Sequence, residues 1–223
     1  MDFEKSKKRI AFIYTGGKVK TDLLPVFPNR DETRAGEECL IIAADSGYDL
    51  CRRLGIVPDV LIGDMDSVKD LSLESFHGEY ITSPREKNDT DTMLAVKLAL
   101  ERGFGEIFII GGLGGRVDHS LSNLYILEYI YNRGCKGVLT DGQNRVIFLR
   151  GGTVALKRGD YRFFSLLAVD TVCRGVTVAG CRYPLSDAVL LREEGYAVSN
   201  EIVGDEATLS VDEGALFVIE SRD

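Results

Sequence analysis

Residues 60–67 read Val60-Leu61-Ile62-Gly63-Asp64-Met65-Asp66-Ser67, a short apolar run followed by two aspartates one residue apart. An uninterrupted apolar run of this length predicts a buried strand. Two carboxylates so close together raise each other's pKa unless a positive charge lies between them. A hard divalent cation such as Mg²⁺, held by oxygen ligands and shared with phosphates, suits such a pair. A solvated loop that carries two acids is the alternative interpretation.

The first two-thirds of the chain alternates similar apolar runs with helical patterns. The apolar runs are continuous rather than alternating, which is typical of parallel strands that are covered on both faces. Strand and helix in alternation predict a doubly wound α/β domain with a mostly parallel sheet. Residues 18–38 fit this pattern poorly and are expected to form a loop or an extra turn. The further predicted strands are 10–14, 40–44, 80–82 and 107–110, and the predicted helices are 48–54, 92–102 and 119–132.

The pattern changes near residue 142, after the turn signal Asp141-Gly142. Short β-rich runs separated by glycine-rich turns follow, and residues 184–192 are ambiguous. Many short strands at this spacing predict a C-terminal all-β domain, a small antiparallel sandwich or barrel. The predicted domains are therefore residues 1–142 and 143–223. The β-rich runs are 146–149, 153–156, 161–167, 171–178, 207–211 and 215–219.

Composition narrows the possible partners of the chain. Its 223 residues are 44% hydrophobic and 28% charged, with a formal net charge of -8. An acidic surface does not favour nucleic acid or an anionic membrane, so neither partner is expected. No apolar run approaches the ~20 residues needed to span a bilayer. Residues 1–9 lack the apolar core of a signal peptide, so the cytoplasm is the expected location.

The five cysteines are scattered without C-x-x-C spacing, which favours neither a disulfide framework nor a zinc site.

Polar and glycine-rich clusters follow the predicted strands of the α/β domain. In open α/β sheets, ligands bind outside the carboxyl ends of the strands, where the connections change direction. If the strand predictions hold, these clusters face one crevice. The clusters are Gly16-Gly17, Asp45-Ser46-Gly47, Asp64 with Asp66, residues 87–91 and residues 111–118.

Residues 87–91 read Lys-Asn-Asp-Thr-Asp and precede the helical pattern that starts at Thr92. Such residues cap a helix and complement its dipole, so Asp89 or Thr90 is expected to serve as the N-cap. An N-cap requires only one residue, however, whereas Asp89, Thr90 and Asp91 all lie at the start of this helix. We therefore favour a functional role for Asp91.

Residues 111–119 read Gly-Gly-Leu-Gly-Gly-Arg-Val-Asp-His and connect a strand to a helix. Repeated glycine lets backbone N–H groups approach a phosphate beside a helix N-terminus. Arg116 can grip phosphate oxygens in a bidentate manner. Asp118 can orient Arg116, bind metal or cap the helix, and a flexible turn with a surface arginine remains the alternative. Asp45, at another strand end, can accept a hydrogen bond from a ribose hydroxyl, help to hold a metal or serve only as a turn residue.

In this order the segments resemble the pattern of thiamine pyrophosphokinases. The resemblance rests on Asp45-Ser46-Gly47, residues 63–67, Asp89-Thr90-Asp91 and residues 111–119 with Asn123. It continues into the β-rich region through Tyr183-Pro184-Leu185 and residues 195–200. Ser46 stands where the family more often has glycine, and Met65 stands where it more often has an aromatic residue. Neither departure removes a ligand.

The resemblance implies an enzyme that moves a pyrophosphoryl group from ATP to the hydroxyl of thiamine and releases AMP. It implies Mg²⁺ as cofactor, an N-terminal catalytic domain that binds nucleotide and metal, and a C-terminal β-sandwich domain that contributes to the thiamine site and to a homodimer. The resemblance assigns metal binding and catalysis to Asp64, Asp66 and Asp91, and catalysis and phosphate binding to Arg116. It assigns nucleotide binding to Asp45, Thr90, Gly112, Gly114, Gly115 and Asp118. It assigns thiamine binding to Asp91, Ser199 and Asn200.

Two other functions fit parts of the sequence. A Mg²⁺-dependent phosphohydrolase would use Asp64 as a nucleophile and form an aspartyl-phosphate. That function is disfavoured because it leaves the glycine-rich loop at 111–115 unexplained. A protein that binds nucleotide or thiamine diphosphate without catalysis is the third possibility.

Overall fold

A computed structural model describes residues 8–24, 37–64, 76–82 and 89–223 of the chain. These residues fall into two compact units that divide between Gly142 and Gln143. The first unit contains β1 (Lys8–Tyr14), a 3₁₀ turn (Thr21–Leu23), β2 (Glu37–Ala44), α1 (Gly47–Leu54), β3 (Val60–Gly63), β4 (Glu79–Thr82), α2 (Asp91–Glu101), β5 (Glu106–Ile110), α3 (Val117–Tyr131) and β6 (Lys136–Thr140).

The described strands of the first unit form a parallel sheet in the order β6-β5-β1-β2-β3-β4. All four residues of β3 are buried, and so are the last five of β1, as the continuous apolar runs predicted. The mostly parallel α/β prediction is confirmed. The chain runs outward from β1 through β2, β3 and β4, and then returns to the other side of β1 as β5. A crevice for a ligand is therefore expected at the carboxyl ends of β1, β2 and β5.

Capping residues mark the ends of the helices in the first unit. The hydroxyl of Thr90 accepts a hydrogen bond from Met93 N–H at 3.2 Å, so Thr90 caps α2, as one of the two predicted alternatives. Gly55 and Gly103 follow α1 and α2 in left-handed conformations, at φ 67° and 77°. Glycine takes this conformation without the strain that a Cβ would add. The strand β6 was not predicted, because residues 136–140 contain only two large aliphatic side chains.

The second unit is entirely β in its described elements, as predicted. It contains β7 (Asn144–Lys157), β8 (Phe163–Ala168), β9 (Val172–Ala179), β10 (Leu185–Leu191), β11 (Asn200–Glu201) and β12 (Glu206–Ser221). The long strands β7 and β12 pair antiparallel along most of their length. Residues 208–213 of β12 also pair with β9, whereas residues 216–221 pair with β8. Buried side chains from β8, β9 and β12 meet in one apolar cluster, which gives the sandwich-like core.

Two details of the β-rich prediction were wrong, and one ambiguity is resolved. Residues 146–149 and 153–156 are one strand, because β7 pairs with β12 on both sides of Gly151 and Gly152, whose φ values are 61° and 85°. Residues 207–211 and 215–219 are also one strand, β12, which a register shift between Val211 and Ala215 interrupts only locally. A bulge inserts extra residues into a strand and bends it. The ambiguous stretch near residue 184 forms the strand β10.

A charged cluster joins three neighbouring strands at the amino end of the sheet. The Glu106 carboxylate, whose side chain is 11% exposed, pairs with Lys8 Nζ at 2.7 Å and with Lys136 Nζ at 2.8 Å. Burial alone would raise the pKa of Glu106, but hydrogen bonds from Lys136 and Lys8, with their charges, outweigh it and hold the pKa below its usual value. A carboxylate whose pKa falls on folding stabilises the protein above its ordinary pKa, and that contribution is lost as the pH drops through the folded-state pKa.

We expect Glu106→Gln to lower the free energy of unfolding by about 1–2 kcal/mol at neutral pH, since it weakens two charge-assisted hydrogen bonds. The difference from the wild type should shrink in acid, once Glu106 is protonated in both states. Urea unfolding at neutral and acidic pH measures both effects.

Glu79→Gln is the matched control: Glu79 pairs with Arg102 at 2.6 Å, but its side chain is 49% exposed. An exposed pair contributes less than about 1 kcal/mol. Equal losses in the two variants would contradict the prediction.

None of the helices in the described ranges is long and apolar enough to cross a membrane.

Candidate functional site

A cavity of about 450 Å³ lies at the carboxyl ends of β1, β2 and β5. Its volume is in the range of small-molecule sites. It occupies the place where the order of the parallel strands predicts a ligand. The lining residues are Thr15, Gly16, Gly17, Lys18, Ala44, Asp45, Ser46, Thr90, Asp91, Thr92, Gly111, Gly112, Gly114, Gly115, Arg116, His119 and Asn123.

Two glycine-containing loops pack against each other on one side of the cavity. A Cβ on Gly17 would lie 2.0 Å from the carbonyl oxygen of Gly111 and 2.8 Å from that of Leu113. Only glycine permits such a close approach of two backbones. Thr15 N–H donates to the Ile110 carbonyl at 2.8 Å, which ties the end of β1 to the end of β5. The two loops are therefore held as one surface.

The loop after β5 presents its backbone to the cavity. Gly111, Gly114 and Gly115 have φ near 80°, a conformation that other residues rarely adopt. Asn123, a buried residue of α3, donates from Nδ2 to the Gly112 carbonyl at 2.9 Å. That bond fixes the loop against the helix that follows it. Loops of this kind bind anions through successive N–H groups.

Asp45 lies at the end of β2 in a left-handed conformation, at φ 49°. Its N–H donates to the Ile62 carbonyl at 2.7 Å, and a Cβ on Gly63 would lie 3.2 Å from Asp45 Cα. Asp45 thus lies beside the end of β3, where Asp64 follows. One carboxylate oxygen of Asp45, Oδ1, is buried. Uncommon backbone conformations at non-glycine residues cluster at functional sites.

The predicted metal ligands are only partly described. Asp64 is half-buried directly after β3 and is not among the residues that line the cavity. Asp66 lies outside the described residues. Within the described ranges, no group of three His, Cys, Asp or Glu side chains is close enough to hold a metal ion. The metal site at Asp64, Asp66 and Asp91 therefore stays a prediction.

The N-terminus of α2 forms another wall of the cavity. Asp91 is half-buried in the first turn, next to the capping residue Thr90, and both line the cavity. Asp89 instead pairs with Lys97 Nζ at 2.6 Å. A hydrogen bond from Lys97 to Asp89 raises the pKa of the lysine. Of the two acids in this segment, Asp91 is the one that the structure turns to the cavity wall.

Arg116 and Asp118 form a bidentate pair at the mouth of the cavity. Arg116 donates from Nε to Asp118 Oδ1 at 3.1 Å and from a terminal nitrogen to Oδ2 at 2.6 Å. The hydrogen bonds from Arg116 lower the pKa of Asp118, and those to Asp118 raise the pKa of Arg116. Asp118 Oδ1 also accepts from His119 N–H at 2.9 Å, so two of the three roles considered for Asp118 match its contacts: orienting Arg116 and satisfying a backbone N–H at the start of α3. Asp118 lines an adjacent groove on α3 rather than the cavity itself.

Ser199 and Asn200, the two site residues predicted in the second unit, lie at the start of the short strand β11. Ser199 has φ 60°, and its N–H donates to Ser165 Oγ at 3.0 Å. The Asn200 side chain accepts from Tyr183 N–H at 3.0 Å and donates to the Tyr183 carbonyl at 2.8 Å. The buried Asn200 side chain therefore joins β11 to the segment that contains Tyr183. The side chains of Tyr183 and Tyr196 are exposed.

The sequence did not single out Thr15 or Lys18, which also line the cavity. Lys18 follows two glycines at a strand end, and that position was the signal available for it. It lies in the stretch 18–38, whose irregular pattern predicts no role. The predicted helix 119–132 begins with His119, which lies in the first turn of α3.

A parallel α/β unit whose glycine loops, arginine and aspartates surround one cavity suits an enzyme that binds a phosphate-bearing substrate. A family model for the catalytic domain of thiamin pyrophosphokinase matches residues 34–139, and one for its vitamin B1 binding domain matches residues 153–216. Together they cover well over half of the chain, and the chain belongs to the thiamin pyrophosphokinase family.

Individual relatives agree with this assignment. Thiamine pyrophosphokinase from Bacillus subtilis is 29% identical over 191 residues, which cover 84% of this chain and 89% of the relative. Its crystal structure superposes with a TM-score of 0.82 at 28% identity, covering 97% of this chain and all of the other. The thiamin pyrophosphokinase structure from Geobacillus thermodenitrificans gives 0.82 at 26% identity, with 96% and 98% covered. The family resemblance and the prediction of an enzyme are confirmed; the hydrolase and non-catalytic alternatives are not supported.

Proposed function

We propose that this chain transfers a pyrophosphoryl group from ATP to the hydroxyl of thiamine, which gives thiamine diphosphate and AMP. One observation supports this most directly. The catalytic-domain model and the vitamin B1 binding-domain model match successive parts of the chain, in the order of its two compact units. We propose accordingly that residues 1–142 bind nucleotide and metal and that residues 143–223 contribute to the thiamine site.

The phosphates of ATP would occupy the cavity of the first unit. N–H groups of Gly112, Gly114 and Gly115 would bind phosphate oxygens, and Arg116 would exchange its contact with Asp118 for a bidentate contact to phosphate. Because Arg116 is 74% exposed, this exchange requires only movement of a solvated side chain. Asp45, at the end of β2, and Thr90, at the N-terminus of α2, would contact the nucleotide from the other walls of the cavity.

The acids fit a magnesium ion by their chemistry. Carboxylate oxygens are the ligands that Mg²⁺ prefers, and it commonly binds through one or two carboxylates together with substrate phosphates. Asp64 and Asp91 are half-buried, and an oxygen of Asp45 is buried; a cation would offset the cost of desolvating such charges. We propose Asp64, Asp66 and Asp91 as the ligands. When bound, Mg²⁺ neutralises phosphate charge and fixes the geometry of the phosphates.

The transfer itself needs positioning and charge compensation more than covalent help. The hydroxyl oxygen of thiamine would attack the β-phosphorus of ATP in line, while the bond from that phosphorus to the oxygen bridging to the α-phosphate breaks. Asp91 would orient the hydroxyl and accept its proton. Arg116 would stabilise the negative charge that develops on the departing AMP.

The thiamine site would need a second copy of the chain. We propose a homodimer in which Ser199 and Asn200 of one copy approach thiamine bound at the first unit of the other. Asn200 would act by holding this edge, because its amide is bonded to Tyr183. Each unit has exposed apolar side chains that support association. Val117, Leu121 and Tyr125 lie on one face of α3, and Tyr183, Tyr196, Val198 and Val203 are exposed in the second unit. The cytoplasm is the proposed location.

The test is to incubate the purified chain with ATP, MgCl₂ and thiamine and to measure AMP and thiamine diphosphate together. We expect the two products in equal amounts, and little AMP when thiamine is omitted. Phosphate release without thiamine would instead indicate a hydrolase. Binding of ATP and thiamine with no product would reject the catalytic proposal.

A further inference from the structure

We infer that Lys18 is a second cation of the phosphate site and binds the phosphates of ATP together with Arg116. This inference rests on the proposed function, which places ATP in the cavity of the first unit. It adds a residue of the segment 18–38, to which the sequence assigned no role.

The position of Lys18 is fixed by the backbone on both sides of it. Thr15 N–H donates to the Ile110 carbonyl at 2.8 Å, and Lys20 N–H donates to the Asp141 carbonyl at 2.9 Å. Between these points, Gly17 packs against the Gly111 carbonyl. The backbone of residues 15–20 is therefore anchored to the ends of β5 and β6.

Lys18 stands beside the glycine loop that presents its N–H groups to the cavity. A Cβ on Gly114 would lie 3.7 Å from the Cβ of Lys18, and both residues line the cavity. An ammonium group on a flexible four-carbon stem can follow a phosphate bound to that loop.

The charge balance of the cavity favours this role. Its charged lining side chains are Lys18, Asp45, Asp91 and Arg116, two of each sign. Arg116 is already engaged by Asp118, whereas within the described part of the chain no carboxylate pairs with Lys18. Phosphates that enter beside two carboxylates are stabilised by each further positive charge. Lys18 can supply one without breaking an ion pair to any carboxylate of the described residues.

Calorimetric titration with ATP and MgCl₂, without thiamine, tests the inference. We expect Lys18→Ala to weaken ATP binding by roughly 10-fold or more, the scale of one hydrogen bond to a charged group. In the complete reaction, the KM for ATP should rise by a similar factor while the KM for thiamine stays within about twofold. Lys18→Arg should restore most of the ATP affinity, since it keeps the positive charge.

Lys20→Ala is the matched control. Lys20 is exposed on the same segment but does not line the cavity, so its loss should leave ATP binding unchanged. ATP affinity in Lys18→Ala equal to that of the wild type would overturn the inference, as would an equal loss in Lys20→Ala or a parallel rise in both KM values. Failure of the proposed function looks different: the wild type itself would form no AMP from ATP and thiamine.

Discussion

Asp64→Asn is expected to lower turnover by about 100-fold or more while the chain stays folded. The substitution keeps the shape of the side chain and removes its charge. Removal of one preorganised electrostatic contact in an active site commonly costs about 10²–10³ in kcat. Asp64 is half-buried directly after β3, at the carboxyl edge of the sheet where the cavity lies. AMP formation at saturating ATP, thiamine and MgCl₂ measures the effect.

Asp205→Asn is the control for loss of one negative charge, because Asp205 is exposed in the all-β unit. Its turnover should equal that of the wild type. Thermal unfolding of both variants separates a chemical effect from a loss of structure. Near-normal turnover in a folded Asp64→Asn variant at saturating MgCl₂ would reject the proposed metal role.

The fold was predictable because its strands are chemically distinctive. Continuous apolar runs at 10–14, 40–44, 60–62 and 107–110 mark strands that are buried on both faces, and each forms a parallel strand of the sheet. Prediction failed where a local sequence signal indicates a turn but pairing with a distant strand determines the structure. Gly151 and Gly152 resemble a turn, yet β7 continues through them because it pairs with β12 on both sides of these glycines, and the paired residues lie 49 to 77 positions apart in sequence.

The candidate site was partly predictable for the same reason. The carboxyl ends of parallel strands meet at one edge, so Asp45, Asp91 and the Gly111 loop had to come near each other once the strands were known. The pairing of Arg116 with Asp118, by contrast, depends on side-chain conformations that spacing does not encode. Lys18 was missed because its role depends on backbone contacts with residues about 100 positions away.

Gly17→Ala is expected to reduce kcat/KM by about 100-fold and to lower the free energy of unfolding by about 1–3 kcal/mol. The new methyl group would lie 2.0 Å from the Gly111 carbonyl oxygen, so one of the two backbones must move by more than 1 Å. A displacement of about 1 Å in a positioning element can cost 10²-fold in rate, and overpacking commonly costs 1–3 kcal/mol. Steady-state kinetics and thermal unfolding measure the two effects.

The backbones cannot separate easily, because Gly111 N–H donates to the Thr140 carbonyl at 2.9 Å and Thr15 N–H donates to Ile110. Strain at Gly17 must therefore pass into the glycine loop that we propose for phosphate binding. Gly105→Ala is the control, since a Cβ there has no heavy atom within 4 Å and its φ is not in the positive range. It should change neither rate nor stability. A Gly17→Ala variant with wild-type kinetics would show that the two loops are not coupled, and that the contact of Gly17 with Gly111 does not position the phosphate loop.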